Sequence, residues 1–475
     1  MLFNSLEFLV FLPVFMAVYF ATRGRTRLVL CVVASYVFYA MFDWRFLALL
    51  AFITLANFDL GKHIAASDNQ RRRKILLVAS LVVNLGVLGA FKYFNFFIES
   101  AATVLGALGL DTSGGFVNIV LPIGISFYTF SAMTYTIDLY RNDIQVERSL
   151  LRFAAFIALF PKLVLGPIVR ASELLPQLAA DRTPTWRALQ SGFLLVLLGL
   201  FKKVVIADNC APLVDGIFLR PDLFTSLNVL LGAYLYAFQL YCDFSGYTDI
   251  AIGIGRMLGF EFPKNFDRPF FSQSIGQFWR RWHMSLSFWL RDYLYIPLGG
   301  SRCGSVRTYR NLIITMVLCG LWHGAAWTYV LFGLLHGLFL TAQKLIGGPF
   351  RRAAAKLRIP DPVVNVALVV ITFHLCSLTF VIFRADSFGN ALHVYSRIFS
   401  FDTWNPLALK QLLDLARALG LISLLALLEL ISFRFSFAAL LERSVVLRVA
   451  AACAAVWLIL ILGNFSGAQF IYFQF

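Results

Sequence analysis

Residues 278–302 read FWRRWHMSLSFWLRDYLYIPLGGSR, and residues 321–324 read LWHG. The first stretch predicts a charged, tryptophan-rich helix that cannot cross a bilayer, because its arginines would lie in hydrocarbon. The second stretch places one histidine, His323, inside one of the most apolar parts of the chain. An ionisable side chain at membrane depth is costly, so its presence favours a functional role. A basic surface near a buried imidazole indicates chemistry at a membrane rather than a simple anchor.

The composition is typical of a polytopic membrane protein. Of 475 residues, 60% are hydrophobic and only 14% are charged, whereas a soluble globular chain carries roughly 25% charged residues. The net charge of +16 is dispersed among apolar runs, which argues against nucleic-acid binding and favours cytoplasmic loops beside anionic membrane lipid. The seven cysteines form no CxxC pair, and no histidines have HxxxH or HExxH spacing. We therefore expect no disulfide framework, no metal site and no tightly bound cofactor.

The apolar runs predict an all-α polytopic membrane protein of about 11 to 13 helices, since a span needs about 20 apolar residues. Residues 1–475 form a single integral-membrane domain in this interpretation, with some helices too short to cross alone. The predicted spans are 3–21, 28–42, 45–61, 75–98, 118–140, 151–169, 190–207, 227–255, 311–322 with 325–343, 362–383, 413–432 and 446–463.

The placement of Lys and Arg in short loops predicts the orientation. Basic clusters at 23–27 and 62–74 are separated by two predicted spans, and so are those at 351–358 and 434–448. If these loops are cytoplasmic, both termini lie outside, including the final residues QFIYFQF.

The same rule predicts the depth of His323. Arg310 precedes the apolar stretch 311–343 and Lys344 follows it, so we expect a hairpin with both flanks in the cytoplasm. The first arm, Asn311–Trp322, would be only ~18 Å long at 1.5 Å per residue. His323 would then lie deep in the membrane, beyond its midpoint.

His323 is the leading candidate for a catalytic residue. The alternative is a histidine that hydrogen-bonds to a neighbouring helix for packing, which membrane bundles use. The glycines on either side permit a helix break, and Trp322 and Trp327 flank it, so we assign these two tryptophans to the substrate site. A neutral imidazole can accept a hydroxyl proton near pH 7. His336 lies 13 positions further on, points to another face of a continuous helix, and is predicted to pack.

Residues 278–295 predict an interfacial amphipathic helix, with tryptophans on one side and arginines on the other. A helix that only lies on the membrane would have the same composition. However, residues 256–310 contain nine basic and three acidic residues, which favours capture of a phosphate-bearing donor or an acidic carrier. The candidate residues here are His283 as a second catalytic histidine, and Arg280, Arg281, Ser285 and Arg291 for substrate binding.

Two carboxylates interrupt another apolar run. Residues 239–255 read QLYCDFSGYTDIAIGIG, with Asp243 and Asp249 inside the run. Each carboxylate either makes structural hydrogen bonds or lines a polar tunnel, and the sequence leaves both interpretations open. Asp243 is retained as a candidate substrate-binding residue.

The chain resembles the membrane-bound O-acyltransferase family, and most closely its bacterial branch that contains the alginate O-acetyltransferase membrane subunit. The matching passages are LEFLVFLPVF, ASYVFYA, LPIGISFYTF, FPKLVLGPIVR, QLYCDFSGYTDIAIGIG, RRWHMSLSFWLRDYLYIPLGG, GLWHGAAWTYVLFGLLHG and the IYFQF ending. The resemblance implies a ring of helices, with short re-entrant and interfacial ones, around a central tunnel. It also implies that His323 is catalytic and that His283 lies near the acyl tunnel.

We therefore expect a bacterial inner-membrane enzyme with both termini in the periplasm. It would move an acetyl group from acetyl-CoA or an acylated carrier to an outer hydroxyl, for O-acetylation of a cell-surface polysaccharide such as alginate. The resemblance implies a periplasmic or membrane-anchored SGNH-type partner that completes the transfer. The alternatives are acyl or D-alanyl transfer to teichoic acid, peptidoglycan or cellulose, and a non-enzymatic polysaccharide transporter.

Overall fold

The computed structural model describes residues 1–110, 119–401, 409–465 and 470–471, whose regular structure is entirely helical. Six helical stretches among them are long and apolar enough to cross a membrane. The prediction of an all-α, multi-pass membrane protein is confirmed. The six stretches are Gly24–Ala65, Gln70–Ala107, Trp186–Leu219, Trp327–Lys356, Asp361–Arg384 and Val445–Leu462.

The chain divides into two compact units. The first contains Met1–Phe193 and Ala251–Pro263, and the second contains Leu194–Ile250 and Lys264–Phe475. The single domain expected over residues 1–475 stays a prediction. The final residues, 472–475, lie outside the described part of the chain.

Among the described residues, the first unit contains nine complete α-helices. They are α1 (Leu6–Ala21), α2 (Gly24–Asp43), α3 (Leu47–Ala65), α4 (Gln70–Leu88), α5 (Phe94–Ala107), α6 (Ile125–Arg141), α7 (Leu150–Ala158), α8 (Phe160–Leu163) and α9 (Ala171–Ala179).

The helices that follow are α10 (Trp186–Leu200), α11 (Asp208–Leu219), α12 (Ser226–Met257), α13 (Ile275–Trp279), α14 (Met284–Leu290), α15 (Ser305–His323), α16 (Trp327–Lys356), α17 (Asp361–Arg384), α18 (Phe388–Ile398), α19 (Leu409–Ile431), α20 (Phe437–Arg443) and α21 (Val445–Leu462). The unit boundaries at Phe193 and Ile250 fall within α10 and α12.

The predicted span 151–169 is wrong, because the chain breaks at Leu159. Helix α7 has nine residues and α8 has four, so neither reaches across a ~30 Å hydrocarbon core. Pro161 lies in the first turn of α8 and cannot continue α7, since it lacks the N–H group that an interior helical position donates. The amide of Phe160 instead donates to Ser35 Oγ at 2.9 Å. This contact fixes the break against α2.

The hairpin predicted around His323 is present, but its first arm is longer than expected. Helix α15 begins at Ser305 and has 19 residues, which gives about 28 Å at 1.5 Å per residue. The predicted arm began only at Asn311, after the arginines at 307 and 310, although arginines fit helix ends at the membrane surface. The arm ends at the predicted break, because α15 stops at His323 and α16 starts at Trp327.

Glycines let the two arms of this hairpin approach closely. A Cβ at Gly320 would collide with the carbonyl oxygen of Tyr329, and one at Gly333 would collide with that of Met316. Small residues at such positions allow backbone-to-backbone packing inside membranes. The close packing holds the end of α15, and therefore His323, in a fixed position.

Candidate functional site

The predicted continuous helix over 278–295 is broken at His283. Helix α13 ends at Trp279 and α14 starts at Met284, and His283 between them has φ 42° and ψ 54°. A non-glycine residue in this left-handed region is uncommon and often marks a functional position. The tryptophans at 279, 282 and 289 are buried in the protein, whereas an interfacial helix would present them to lipid. Packing inside the protein therefore overrides the amphipathic pattern.

Asn265 holds this break in place. Its carbonyl oxygen accepts the Met284 amide at 2.8 Å. Its side-chain Oδ1 accepts the Ser285 amide at 3.1 Å and the Ser285 hydroxyl at 2.9 Å. Ser285 therefore has a described structural role at the start of α14. Asn265 was not predicted as a site residue, because its only sequence signal is a lone amide within the aromatic run FPKNFDRPFF.

The break brings His283 next to His323, and these two residues are called the histidine pair. Their ring centroids are 6.1 Å apart. His283 is fully buried and His323 is only 4% exposed. The sequence separates them by 40 positions, so their proximity follows from the hairpin and the break together.

Aromatic side chains surround the histidine pair. Trp322 lies 5.4 Å from His283 and 5.2 Å from His323, measured between ring centroids. The Phe244 ring centroid lies 4.7 Å from that of His283. The ring centroids of Phe332 and Phe383 lie 6.2 and 5.4 Å from that of His323. Trp322 thus contacts both histidines, and its role in substrate binding stays a prediction. Trp327 lies at the start of α16 and is 54% exposed. The buried rings of Phe332 and Phe383, and not that of Trp327, therefore pack against His323.

The surroundings keep His283 neutral. Burial, and secondarily the nearby His323, lower the pKa of His283 well below its usual value of 6.5, because both disfavour the charged imidazolium. A neutral imidazole can accept a proton at one nitrogen and donate one at the other. The pair can therefore perform general acid–base chemistry in a largely dry, aromatic environment.

A small cavity lies beside α15. It has a volume of ≈ 170 Å³, and its lining includes Trp279, Arg291, Met316 and Cys319. The Cys319 sulfur lies 3.9 Å from Nε2 of His323. The cavity thus extends from an exposed arginine to a direct neighbour of the candidate catalytic imidazole.

His336 is held differently from the histidine pair. The indole N–H of Trp279 donates to its Nδ1 at 3.2 Å, and its Nε2 lies 3.0 Å from Thr379 Oγ1. Because an indole nitrogen can only donate, Nδ1 is the acceptor and the neutral ring carries its proton on Nε2. Both nitrogens therefore serve packing between α13, α16 and α17, which agrees with the predicted structural role.

The carboxylates of α12 form ion pairs. Asp243 is buried and lies 2.6 Å from Lys203 Nζ, and Asp249 lies 2.7 Å from Lys202 Nζ. These contacts favour the structural interpretation of both carboxylates. The two lysines were not predicted as partners, although a pair of lysines within an apolar run indicates buried counter-ions.

The predicted donor-binding arginines differ in their environments. Arg280 is exposed. Arg281 is half-buried, donates to the Phe271 carbonyl oxygen at 3.4 Å and packs on the Phe433 ring. Arg291 is exposed and pairs with the adjacent Asp292 at 2.6 Å. Three of the exposed arginines, Arg280, Arg302 and Arg307, are called the basic surface.

The described residues include no group of three or more His, Cys, Asp or Glu side chains that could hold a metal ion.

The fold and site define a multi-pass membrane protein with a buried histidine pair, and comparison with known proteins assigns its family. The model of the membrane-bound O-acyltransferase family matches residues 115–383, which include both histidines. The chain therefore belongs to the membrane-bound O-acyltransferase family and is an acyltransferase.

Individual relatives extend the similarity along most of the chain. The chain is 45% identical over 422 residues to the probable alginate O-acetylase of Pseudomonas aeruginosa, covering 88% of this chain and 77% of that protein. It is 44% identical over 408 residues to the probable alginate O-acetylase of Azotobacter vinelandii, covering 85% and 79%. It is 34% identical over 426 residues to the peptidoglycan O-acetyltransferase of Helicobacter pylori, covering 83% and 79%.

Proposed function

We propose that this enzyme transfers an acetyl group from a cytoplasmic thioester donor to a hydroxyl on the outer side of the membrane, for O-acetylation of a cell-surface polysaccharide. The similarity to two probable alginate O-acetylases supports alginate as the polymer. The observation that carries the chemistry is the buried histidine pair, with 6.1 Å between its ring centroids.

His323 acts as the general base in this proposal. The acceptor oxygen attacks the thioester carbonyl carbon while His323 takes its proton, which gives a tetrahedral intermediate and an imidazolium. The intermediate collapses, the C–S bond breaks, and the imidazolium returns the proton to the leaving thiolate. His283, whose ring lies 6.1 Å from that of His323, donates its N–H to the developing oxyanion.

The donor binds at the basic surface. Arg280, Arg302 and Arg307 are exposed, and guanidinium groups suit the phosphates of acetyl-CoA or the carboxylates of an acylated carrier protein. The cavity beside Cys319 leads from Arg291 towards His323. Its volume of ≈ 170 Å³ suits a short acyl group.

We further propose that the protein lies in the bacterial inner membrane with both termini in the periplasm. An SGNH-type protein on that side, implied by the family resemblance, would take over the acetyl group and complete the transfer to the sugar. Residues 62–74, 256–310 and 344–358 then face the cytoplasm. Cysteines introduced at Gln70 and Ser305 should react with an impermeant maleimide only after the cells are opened, and ready labelling of intact cells would contradict this topology.

The function is tested with inverted membrane vesicles, whose cytoplasmic face is accessible. Radiolabelled acetyl-CoA or an acetylated carrier is added outside, and alginate oligosaccharides with the partner protein are enclosed. We expect label on alginate with the wild-type protein and none with His323→Ala. Label on enclosed peptidoglycan fragments but not on alginate would instead support the activity named for the Helicobacter pylori relative.

A further inference from the structure

A buried ion-pair cluster lies at the π-helical turn 201–207, which follows α10. Lys203 is 1% exposed and its Nζ lies 2.8 Å from Asp208 and 2.6 Å from Asp243. These three residues are called the lysine–aspartate cluster. One lysine faces two aspartates, so the cluster carries excess negative charge when all three are ionised. A buried excess charge requires further donors.

The segment that follows α21 supplies one of these donors. The Ile471 amide donates to Asp243 Oδ2 at 2.8 Å. The adjacent Phe470 is fully buried, lies under Lys203 Nζ at 4.4 Å from its ring centroid, and contacts the Tyr247 ring at 4.6 Å. A cation over an aromatic face is attracted to it, more strongly where water is excluded.

The same segment is also held by two hydrogen bonds that Asn464 donates. The Asn464 amide donates to the Val204 carbonyl oxygen at 2.8 Å, and its side-chain amide donates to the Asp208 carbonyl oxygen at 2.8 Å. The described residues Asn464, Phe470 and Ile471 are called the docked segment. Every member of the lysine–aspartate cluster thus contacts it.

The docked segment contacts α12 next to Phe244, a residue that packs on the histidine pair. Asp243 precedes Phe244 on α12, and the Phe244 ring lies 4.7 Å from the His283 ring centroid. Tyr247, which contacts Phe470, lies one helical turn further along α12. The contacts of the docked segment therefore fix the part of α12 that packs on His283.

We propose that the lysine–aspartate cluster is a docking site for the docked segment, and that Lys203 is a positioning residue for the histidine pair. The second half of this inference rests on the proposed function, whereas the docking itself does not. Loss of the Lys203 charge should release the segment, relax α12 around Phe244 and lower turnover without weakening donor binding.

Docking is tested with a cysteine reporter at Ile471. Ile471→Cys keeps the backbone amide that Asp243 accepts, and the side chain is only 7% exposed. The reporter is placed in a background with Cys303 and Cys453 replaced by serine, since these native cysteines are the more accessible ones. We expect slow maleimide labelling, and at least about tenfold faster labelling when Lys203→Met is added, which corresponds to about 1.4 kcal/mol.

Lys202→Met is the matched control. Lys202 is adjacent, similarly buried and paired with Asp249 at 2.7 Å, and the contacts of the docked segment described above do not involve it. It should leave the reporter as slow as in the parent, although it too breaks a buried ion pair. Equal acceleration by both variants, or by neither, would overturn the docking site.

Measurements of turnover test the positioning role of Lys203 separately from docking. Lys203→Met should lower kcat about tenfold and leave KM for the donor unchanged, and Phe470→Ala should independently do the same. Lys203→Arg keeps the positive charge and should retain most of the wild-type kcat. Phe470→Ala leaves the three charges intact, so it tests the same contact from the other side even if Lys203→Met folds poorly. Fast maleimide labelling at position 471 together with a normal kcat would contradict the positioning role of Lys203 and leave the docking site standing. No transfer by the parent protein would instead count against the proposed function.

Discussion

The histidine pair and the lysine–aspartate cluster are both buried in the same unit, yet their surroundings differ. Aromatic rings enclose the histidines, whereas the Lys203 ammonium lies against two carboxylates and one aromatic ring. A neutral imidazole needs no counter-ion in an apolar site, but an ammonium group does. The first arrangement leaves a side chain ready to move protons, and the second stabilises a fixed geometry. Substitutions at the histidine pair should therefore lower the rate with little loss of stability, whereas substitutions at the lysine–aspartate cluster should lower stability as well as turnover.

The largest effect is expected at His323. His323→Ala should lower acetyl transfer by a factor of about 10² to 10⁴ with a melting temperature near wild type, because a general base contributes to rate more than to packing. His336→Ala is the matched control, and it should keep measurable activity while losing about 1–3 kcal/mol of stability through its lost hydrogen bonds. Steady-state kinetics and thermal unfolding in detergent measure both quantities. Equal loss of activity in the two variants would contradict the assignment of His323.

The next effect is on stability, at the ion pair beside the lysine–aspartate cluster. Lys202→Met should destabilise the protein by about 3–5 kcal/mol, because it leaves Asp249 without its described cation. The folded fraction should keep a normal kcat. The double variant Lys202→Met with Asp249→Leu should recover part of the stability, and failure to recover any would show that the pair is not a separable unit.

A smaller combined effect is expected at Asn265, which shapes the histidine site. Asn265→Ala removes the acceptor for the Ser285 amide and hydroxyl and should cost about 1–3 kcal/mol. His283 would lose its fixed orientation, so kcat should also fall, by about tenfold. Asn265→Asp keeps the acceptor oxygen and is the conservative comparison. Unchanged kcat in Asn265→Ala would show that the break keeps its geometry without this side chain.

The pH dependence of stability tests the neutral state of His283. Its folded pKa is depressed, so between that value and about 6.5 the unfolded chain binds a proton that the folded chain does not. The contribution is therefore present above pH 6.5 and is lost as the pH falls. His283→Asn fits the left-handed backbone and should lose less stability than wild type when the pH falls from 7 to 5, as measured by thermal unfolding in detergent. Identical pH profiles would contradict a neutral, buried His283.

The smallest effect is expected at the basic surface. Replacing Arg280, Arg302 and Arg307 with Gln should raise KM for the donor several-fold more than it lowers kcat, and added salt should mimic this change by screening. Arg281→Gln is the control, since Arg281 packs on Phe433 and should mainly affect stability. Unchanged kinetics at low salt in well-folded variants would remove the basic surface from donor binding.

The fold class and the leading candidate residue were predictable from the sequence. Apolar runs of about 20 residues directly indicate membrane-spanning helices, because a helix of that length matches the thickness of the hydrocarbon core. The break after His323 was also predictable, since glycines flank it in an apolar run. These signals are local and require no knowledge of what packs against them.

Tertiary structure alone decided the remaining features. The amphipathic pattern of 278–295 predicted one helix, but Asn265 and the aromatic walls support a break with His283 in a left-handed conformation. Asp243 was open between two roles until Lys203 and Ile471 were seen to contact it. Partners such as these lie 40 to more than 200 positions apart, and no periodicity in a chain encodes contacts at that separation. The sequence determined which segments enter the membrane, and packing between them determined which buried charges are neutralised and which imidazoles meet.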